Sequence, residues 1–175
     1  MAITAGKALL LTGFTLLLAG CGLTQTITDG TVSVTKAIFY KQVKTLHLDL
    51  RAREAINSNA RGESLSTVVR IYQLRDRKTF DETDYPSLFA SDSQAIAADL
   101  LAQKDVRLTP GGAVSVDMPM EKEAEYVAVA GMFITPDETR NSWRVVLALD
   151  DLDSDKARVI EAGSNRLTLI ADKEQ

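Results

Sequence analysis

Thiols and imidazoles are nearly missing from these 175 residues, which hold one cysteine and one histidine. A single cysteine makes no internal disulfide and no thiolate-rich zinc site. A single histidine cannot build a two-histidine metal centre. Basic excess is missing too: 20 Lys and Arg stand against 24 Asp and Glu, for a formal charge of −4 and a pI near 5.1. Nucleic-acid binding needs a basic face to meet phosphates, so that class is excluded. The length suits one domain of ordinary size with a real hydrophobic core.

The lone cysteine has an informative position. Lys7 is the only charge before Asp29 and stands directly before the apolar run Ala8–Leu18. Ten to twelve apolar residues are too few to span a hydrocarbon core of roughly 30 Å comfortably. Leu18-Ala19-Gly20-Cys21 follows at once. An apolar residue, two small residues and Cys resemble the lipobox of bacterial lipoproteins, in which the extended segment enters a peptidase and the thiol takes lipid through a thioether. The competing reading is an uncleaved anchor with an incidental cysteine, which the short run and the placement of Cys21 disfavour. Residues 1–20 are therefore read as a lipoprotein signal peptide. Cleavage removes 20 of 175 residues, leaving 155, and takes the side-chain charge from −4 to −5 with the loss of Lys7. Gly22 stands where Asp usually signals inner-membrane retention in enteric bacteria, so the expected destination is the periplasmic leaflet of the outer membrane.

Residues 21–42 read as a lipidated N-terminus and tether. Thr24–Gly30 is small and polar, and a flexible stretch of about 20 residues reaches roughly 25 Å r.m.s.. Val32, Val34, Ile38, Phe39 and Tyr40 are too apolar for a pure linker, which leaves open a short docked element. Residues 43–175 carry the folded domain. Leu46, Leu48 and Leu50 alternate with polar neighbours as in a half-buried strand. Val68–Leu74 is apolar on both faces and predicts a central strand. Val114, Val116 and Met118 alternate up to Pro119, and Tyr126–Ile134 is another strand. Trp143, Val145, Leu147 and Leu149 line one face of the next, and Ala157–Glu161 and Arg166–Ile170 complete the set. Turn residues separate them. A helical insertion is expected over about 76–104. Asp84 or Ser87 starts a short helix around Tyr85–Phe89, and Ser91–Gln94 reads as a capping box opening a helix through Ala102. Seven or so strands with a helical excursion predict a mainly β, two-sheet sandwich.

The lipobox is followed by a strand ending in Arg51-Ala-Arg-Glu-Ala-Ile-Asn-Ser-Asn-Ala-Arg-Gly-Glu-Ser64, then Val69–Leu74, a helical segment with Phe89, and the pair Tyr126–Phe133 and Trp143-Arg144. Together these resemble the TssJ family of type VI secretion lipoproteins over essentially the whole mature chain. The resemblance implies a transthyretin-like β-sandwich. It also implies a partner, the periplasmic C-terminal domain of the inner-membrane protein TssM, which the lipoprotein fastens to the outer membrane through its acyl chains. Glu63-Ser64 departs from the family pattern, which often has a Pro nearby.

The segment Ile56–Ser66 is longer than a usual hairpin connection. Asn57, Asn59 and Arg61 supply donors, and Gly62 permits close backbone approach. By resemblance, Asn57, Ser58, Asn59, Ala60, Arg61, Gly62 and Glu63 are the partner-binding residues; without it, a mobile surface loop is the simpler reading. Pro136–Asn141 reads as a solvated hairpin tip. Asp151, Asp153 and Asp155 imitate calcium positions one, three and five, but Lys156 and Ala162 stand where Gly and Glu are required, so an acidic turn is expected. His47 lies on the polar face of its strand with no partner evident. Trp143 and Tyr126 continue apolar strand faces and read as core. No nucleophile elbow, phosphate loop or zinc-protease motif occurs. No catalytic residue, metal site, cofactor beyond the covalent lipid on Cys21, nucleic acid or small-molecule substrate is therefore expected. Two other readings are an assembly factor or pilotin of another envelope machine, and a hydrolase on a transthyretin-like scaffold. The latter needs several histidines and a Tyr-Arg-Gly-Ser ending, where this chain has Ala171-Asp-Lys-Glu-Gln175.

Overall fold

The computed structural model describes residues 43–171. The expected signal peptide 1–20 and the lipidated N-terminus and tether 21–42, Cys21 included, lie outside them. Eight strands form two four-stranded sheets. The first sheet has the order β4 (Ala113–Pro119), β1 (Thr45–Ile56), β7 (Arg158–Ser164), β8 (Arg166–Leu169). The second has the order β3 (Leu100–Leu108), β2 (Thr67–Leu74), β5 (Tyr126–Gly131), β6 (Arg144–Ala148). This is the expected two-sheet sandwich.

Alternation dictates which face each strand buries. Leu46, Leu48 and Leu50 point into the core with Val116, Met118, Ile160 and Leu167 of the same sheet. Their neighbours His47, Asp49, Arg51 and Arg53 lie on the water-facing side, as one-sided sheets require. Val69 and Ile71 of β2 meet them from the other sheet, with Val106, Val129 and Leu147. Gln73 is fully buried, yet both ends of its amide are used. Its Nε2 donates to the Pro119 carbonyl at 2.8 Å and its Oε1 accepts from the Glu121 N–H at 2.7 Å. A buried amide satisfied in this way costs little and locks the two sheets in one register.

The second sheet is also covered on its outer face, which explains why β2 is apolar on both sides. The helical insertion packs there: α1 (Lys78–Glu82), α2 (Tyr85–Phe89) and a 3-10 turn at Ala90–Ile96. Asp84 caps α2, its carboxylate accepting from the Ser87 N–H at 2.8 Å, and Pro86 sits in the first turn. The hydrogen bonds from Ser87 hold the Asp84 carboxyl below its ordinary range. Tyr72 of β2 meets Phe80 edge-on at 5.6 Å, and Trp143 meets Tyr85 at 5.1 Å and Phe89 at 6.1 Å. Ala128 and Ala130 face the same side, leaving room for these rings. Arg144 completes the seal. Its guanidinium lies over Trp143 and Phe80 and donates to the carbonyls of Phe80, Asp81 and Thr83 at the end of α1. Burial pushes its pKa down.

Three expectations are corrected here. No helix runs from Ser91 through Ala102. Ser91, Asp92 and Ser93 all adopt left-handed backbone, with φ of 46°, 54° and 66°, and Leu100 already starts β3. The insertion thus ends near Asp99 rather than at Lys104. Residues 100–108 pair along the whole of β2, burying Val106 and Leu108, and Arg70 forks onto the Asp105 carboxylate across the pair. That pairing overrides a helix propensity worth only a few tenths of a kcal/mol per residue. The strand expected to reach Ile134 stops at Gly131, and α1 was not foreseen. Tyr126 is half-buried at the sheet's rim, whereas Trp143 is fully buried as expected.

Trp143→Ala is expected to remove about 3–5 kcal/mol of stability and to open residues 76–99 to proteolysis. Urea denaturation and limited digestion check both.

Candidate functional site

Eight strand termini meet at one end of the sandwich: the ends of β1, β3, β5 and β7 and the beginnings of β2, β4, β6 and β8. Four connections therefore gather there, 57–66, the β3–β4 turn, 132–143 and the β7–β8 turn. The segment 57–66 does not join hairpin partners, because β1 and β2 belong to different sheets. Crossing between sheets accounts for much of a length that the sequence made look excessive.

Asn57 is the node of this end. It is only 4% exposed and its backbone sits at φ 45°, in the left-handed region that Asn tolerates better than most residues. Its N–H donates to the Ser164 carbonyl at 2.7 Å. Its Nδ2 donates to the Ser66 carbonyl at 3.1 Å, and its Oδ1 accepts from the Ile134 N–H at 2.7 Å. One residue thus ties three of these connections together. Its side chain is turned inward and held by these bonds, which gives it a positioning role in this structure.

Asn59 folds the tip of the loop in the same manner. Its Oδ1 accepts from the N–H groups of Arg61 and Glu63 at 2.9 and 3.0 Å, and its Nδ2 donates to the Glu63 carboxylate at 2.7 Å. Main-chain bonds from Gly62 to Asn59 and from Asn59 to Glu63 close the turn. Gly62 stands at φ 79°, where an L side chain is strained although the space around it is open. The segment is therefore an ordered turn rather than a slack loop. Ser58 is half-buried, while Ala60, Arg61, Gly62 and Glu63 face water. The Arg61 and Glu63 side chains approach to 3.9 Å, an exposed pair of little energetic value. Both charges remain available to a partner.

The expected hairpin tip 136–141 lies at the same end of the sandwich. Asp137 accepts from the Arg140 N–H at 3.1 Å and shapes the loop from within, and Leu167 N–H donates to the Ser142 carbonyl at 2.7 Å. Thr135, Pro136, Asp137, Ser142, Asn165 and Arg166 line a shallow cleft of about 420 Å³. The acidic run is structural. Asp151 accepts from the Ala148 N–H and Asp153 from the Asp155 N–H, each at 2.8 Å, which caps the turns between β6 and β7. His47 meets Asp117, its partner across the β1–β4 pair, a residue the sequence could not assign. The nearby Ser115 hydroxyl donates to Asp49 instead, so ring and hydroxyl each hold their own carboxylate. Among the described residues no cluster of metal-ligating side chains occurs and no helix is long and apolar enough to cross a membrane.

Residues 44–169 match the type VI secretion lipoprotein family (VasD, EvfM, TssJ). The chain belongs to the TssJ family. Among curated protein sequences none matches. A chain in a solved structure headed "T6SS protein TssM C-terminal domain (869-1107) from EAEC" is 53% identical, with 74% of this chain and all of that one covered at a TM-score of 0.69. A chain in one headed "Type VI membrane complex" is 55% identical, with the same coverage and a TM-score of 0.72. The lipoprotein TssJ1 of Pseudomonas aeruginosa, at 19% identity over 75% of this chain and 98% of its own, shares the fold at a TM-score of 0.61. The TssJ turn thus lies in residues the family model spans.

The two polar bonds of Asn57 and its positive φ set an order of damage. Asn57→Ala leaves the Ile134 N–H and the Ser66 carbonyl without that partner and adds left-handed strain, for an expected loss of about 2–4 kcal/mol. Asn57→Gly forfeits the same bonds without the steric strain and is expected to lose less. Chemical denaturation of the two variants gives the ranking.

Proposed function

We propose that this TssJ-family chain is the lipid-anchored component that fastens the periplasmic C-terminal domain of TssM to the outer membrane in the type VI secretion membrane complex. The observation that carries this reading is the likeness, above 50% identity and over the full length of the matched chains, to chains in structures headed for the TssM C-terminal domain and for a type VI membrane complex. The geometry supports it. An ordered turn, prefolded by Asn59, presents Arg61 and Glu63 at one end of a rigid sandwich. Preorganisation lowers the ordering cost of binding.

The work of such a protein is thermodynamic rather than chemical. Lipid on Cys21 buries acyl chains, each methylene contributing about 0.8 kcal/mol, so multi-chain attachment is effectively stable. Tethering within the envelope raises the effective concentration of domain and partner. This reading assigns the protein no catalytic step, no metal, no small-molecule substrate and no cofactor apart from the lipid.

Replacing residues 58–63 by a Gly-Ser linker of equal length, with Asn57 retained, is expected to leave the domain folded and to abolish capture of the TssM periplasmic fragment. Undiminished capture would remove the turn from the interface. Cys21→Ser is expected to bind the fragment in solution yet fail to support secretion. Normal secretion by the unlipidated protein would refute the anchoring role.

A further inference from the structure

Three large apolar side chains stand exposed among the described residues: Leu65, Ile134 and Ile170. Single exposed apolar residues are ordinary on protein surfaces and need no explanation. Ile134 differs in how it is held. It is the most exposed of the three, at 55%, yet the backbone beneath it is fixed from every side. Met132 N–H donates to the Val68 carbonyl at 2.8 Å, and the Thr67 hydroxyl donates to the Met132 carbonyl at 2.7 Å. The Tyr85 hydroxyl donates to the Phe133 carbonyl at 2.7 Å, and the Ile134 N–H is taken by Asn57.

Phe133 itself is buried, and its ring occupies the place where a Cβ on Gly131 would stand, 2.5 Å from the nearest ring atom. Glycine at 131 is thus what lets the chain leave β5 and turn Phe133 inward. The next residue is then thrown outward. Bonds from β2, α2 and the 57–66 connection all converge on three consecutive residues whose last side chain points to water. Leu65 lies on the same end, its N–H donating to the Ile56 carbonyl one residue from Asn57. Ile170, by contrast, is bonded to Val159 near the opposite end of β7.

We infer that Ile134 is the apolar anchor of the partner-binding face, with Leu65 beside it and the charged turn Arg61–Glu63 forming its rim. Interfaces place a few rigid apolar anchors at the centre and polar groups around them. The arrangement here supplies both, and Asn57 joins them into one surface. The occupant is the periplasmic C-terminal domain of TssM, so the inference rests on the function proposed above. It requires that domain to offer an apolar recess next to polar groups that match Arg61 and Glu63.

The test titrates the full lipidated chain in detergent with the TssM periplasmic fragment. Ile134→Ser is expected to weaken binding at least about tenfold and Ile134→Asp to abolish it, both with an unchanged unfolding midpoint because the side chain is exposed. Ile170→Ser is expected to bind as the unaltered protein does. Unaltered protein that binds, together with Ile134→Asp of equal affinity, overturns this inference and leaves the proposed function standing. Failure of the unaltered protein to bind overturns both.

Discussion

The side-chain amide of Asn57 holds together everything that distinguishes one end of this domain from an ordinary sandwich edge. Its oxygen takes the Ile134 N–H, its nitrogen gives to the Ser66 carbonyl, and its own backbone N–H reaches Ser164. These groups belong to connections that leave different sheets. Direct bonds such as Leu167 N–H to the Ser142 carbonyl join some of them, and Asn57 adds a buried partner shared by all three; an exposed connection ordered only by itself would have to be ordered again on binding. With it, the turn at 59–63 and the exposed Ile134 side chain are fixed relative to the same rigid core. The positive φ at Asn57 is a modest strain, and two satisfied buried hydrogen bonds offset it.

That local arrangement depends on an asymmetry of the whole fold. One sheet faces water with paired polar side chains, such as His47 with Asp117 and Arg53 with Glu161. The other is covered by the insertion, whose rings pack on β2 and whose Tyr85 reaches the Phe133 carbonyl. The insertion is thus tied to the functional end by a hydrogen bond as well as by packing. Burial raises the Tyr85 hydroxyl's pKa from its ordinary value. Arg144 holds the insertion as well, donating to the carbonyls of Phe80, Asp81 and Thr83.

Much of this was legible in the sequence, and the exceptions have physical reasons. Leu46, Leu48 and Leu50 fixed β1 by parity, and the apolar doubling of Val68–Leu74 anticipated a strand buried on both faces. Asp84 announced its helix. By contrast, Leu100–Leu108 carries residues that suit a helix, and only pairing with β2 and the Arg70–Asp105 contact make it a strand. The left-handed run Ser91–Ser93 has no glycine to betray it. The 57–63 segment was found by its length and resemblance, yet its length belongs largely to the crossing between sheets. Asn57 looked like a surface donor because its acceptors lie nine and more residues away. Ile134 was hidden for a related reason: it reads as the continuation of an apolar strand, and only Gly131 marks where that strand must end.

The preorganised end is tested most directly by amide hydrogen exchange of Ile134 in the free, unliganded full chain. The Asn57 bond implies protection comparable to that of the neighbouring β2–β5 amides, with rapid exchange once Asn57→Gly removes the acceptor. An Ile134 amide that exchanges freely in the unaltered protein would contradict a face fixed before its partner arrives.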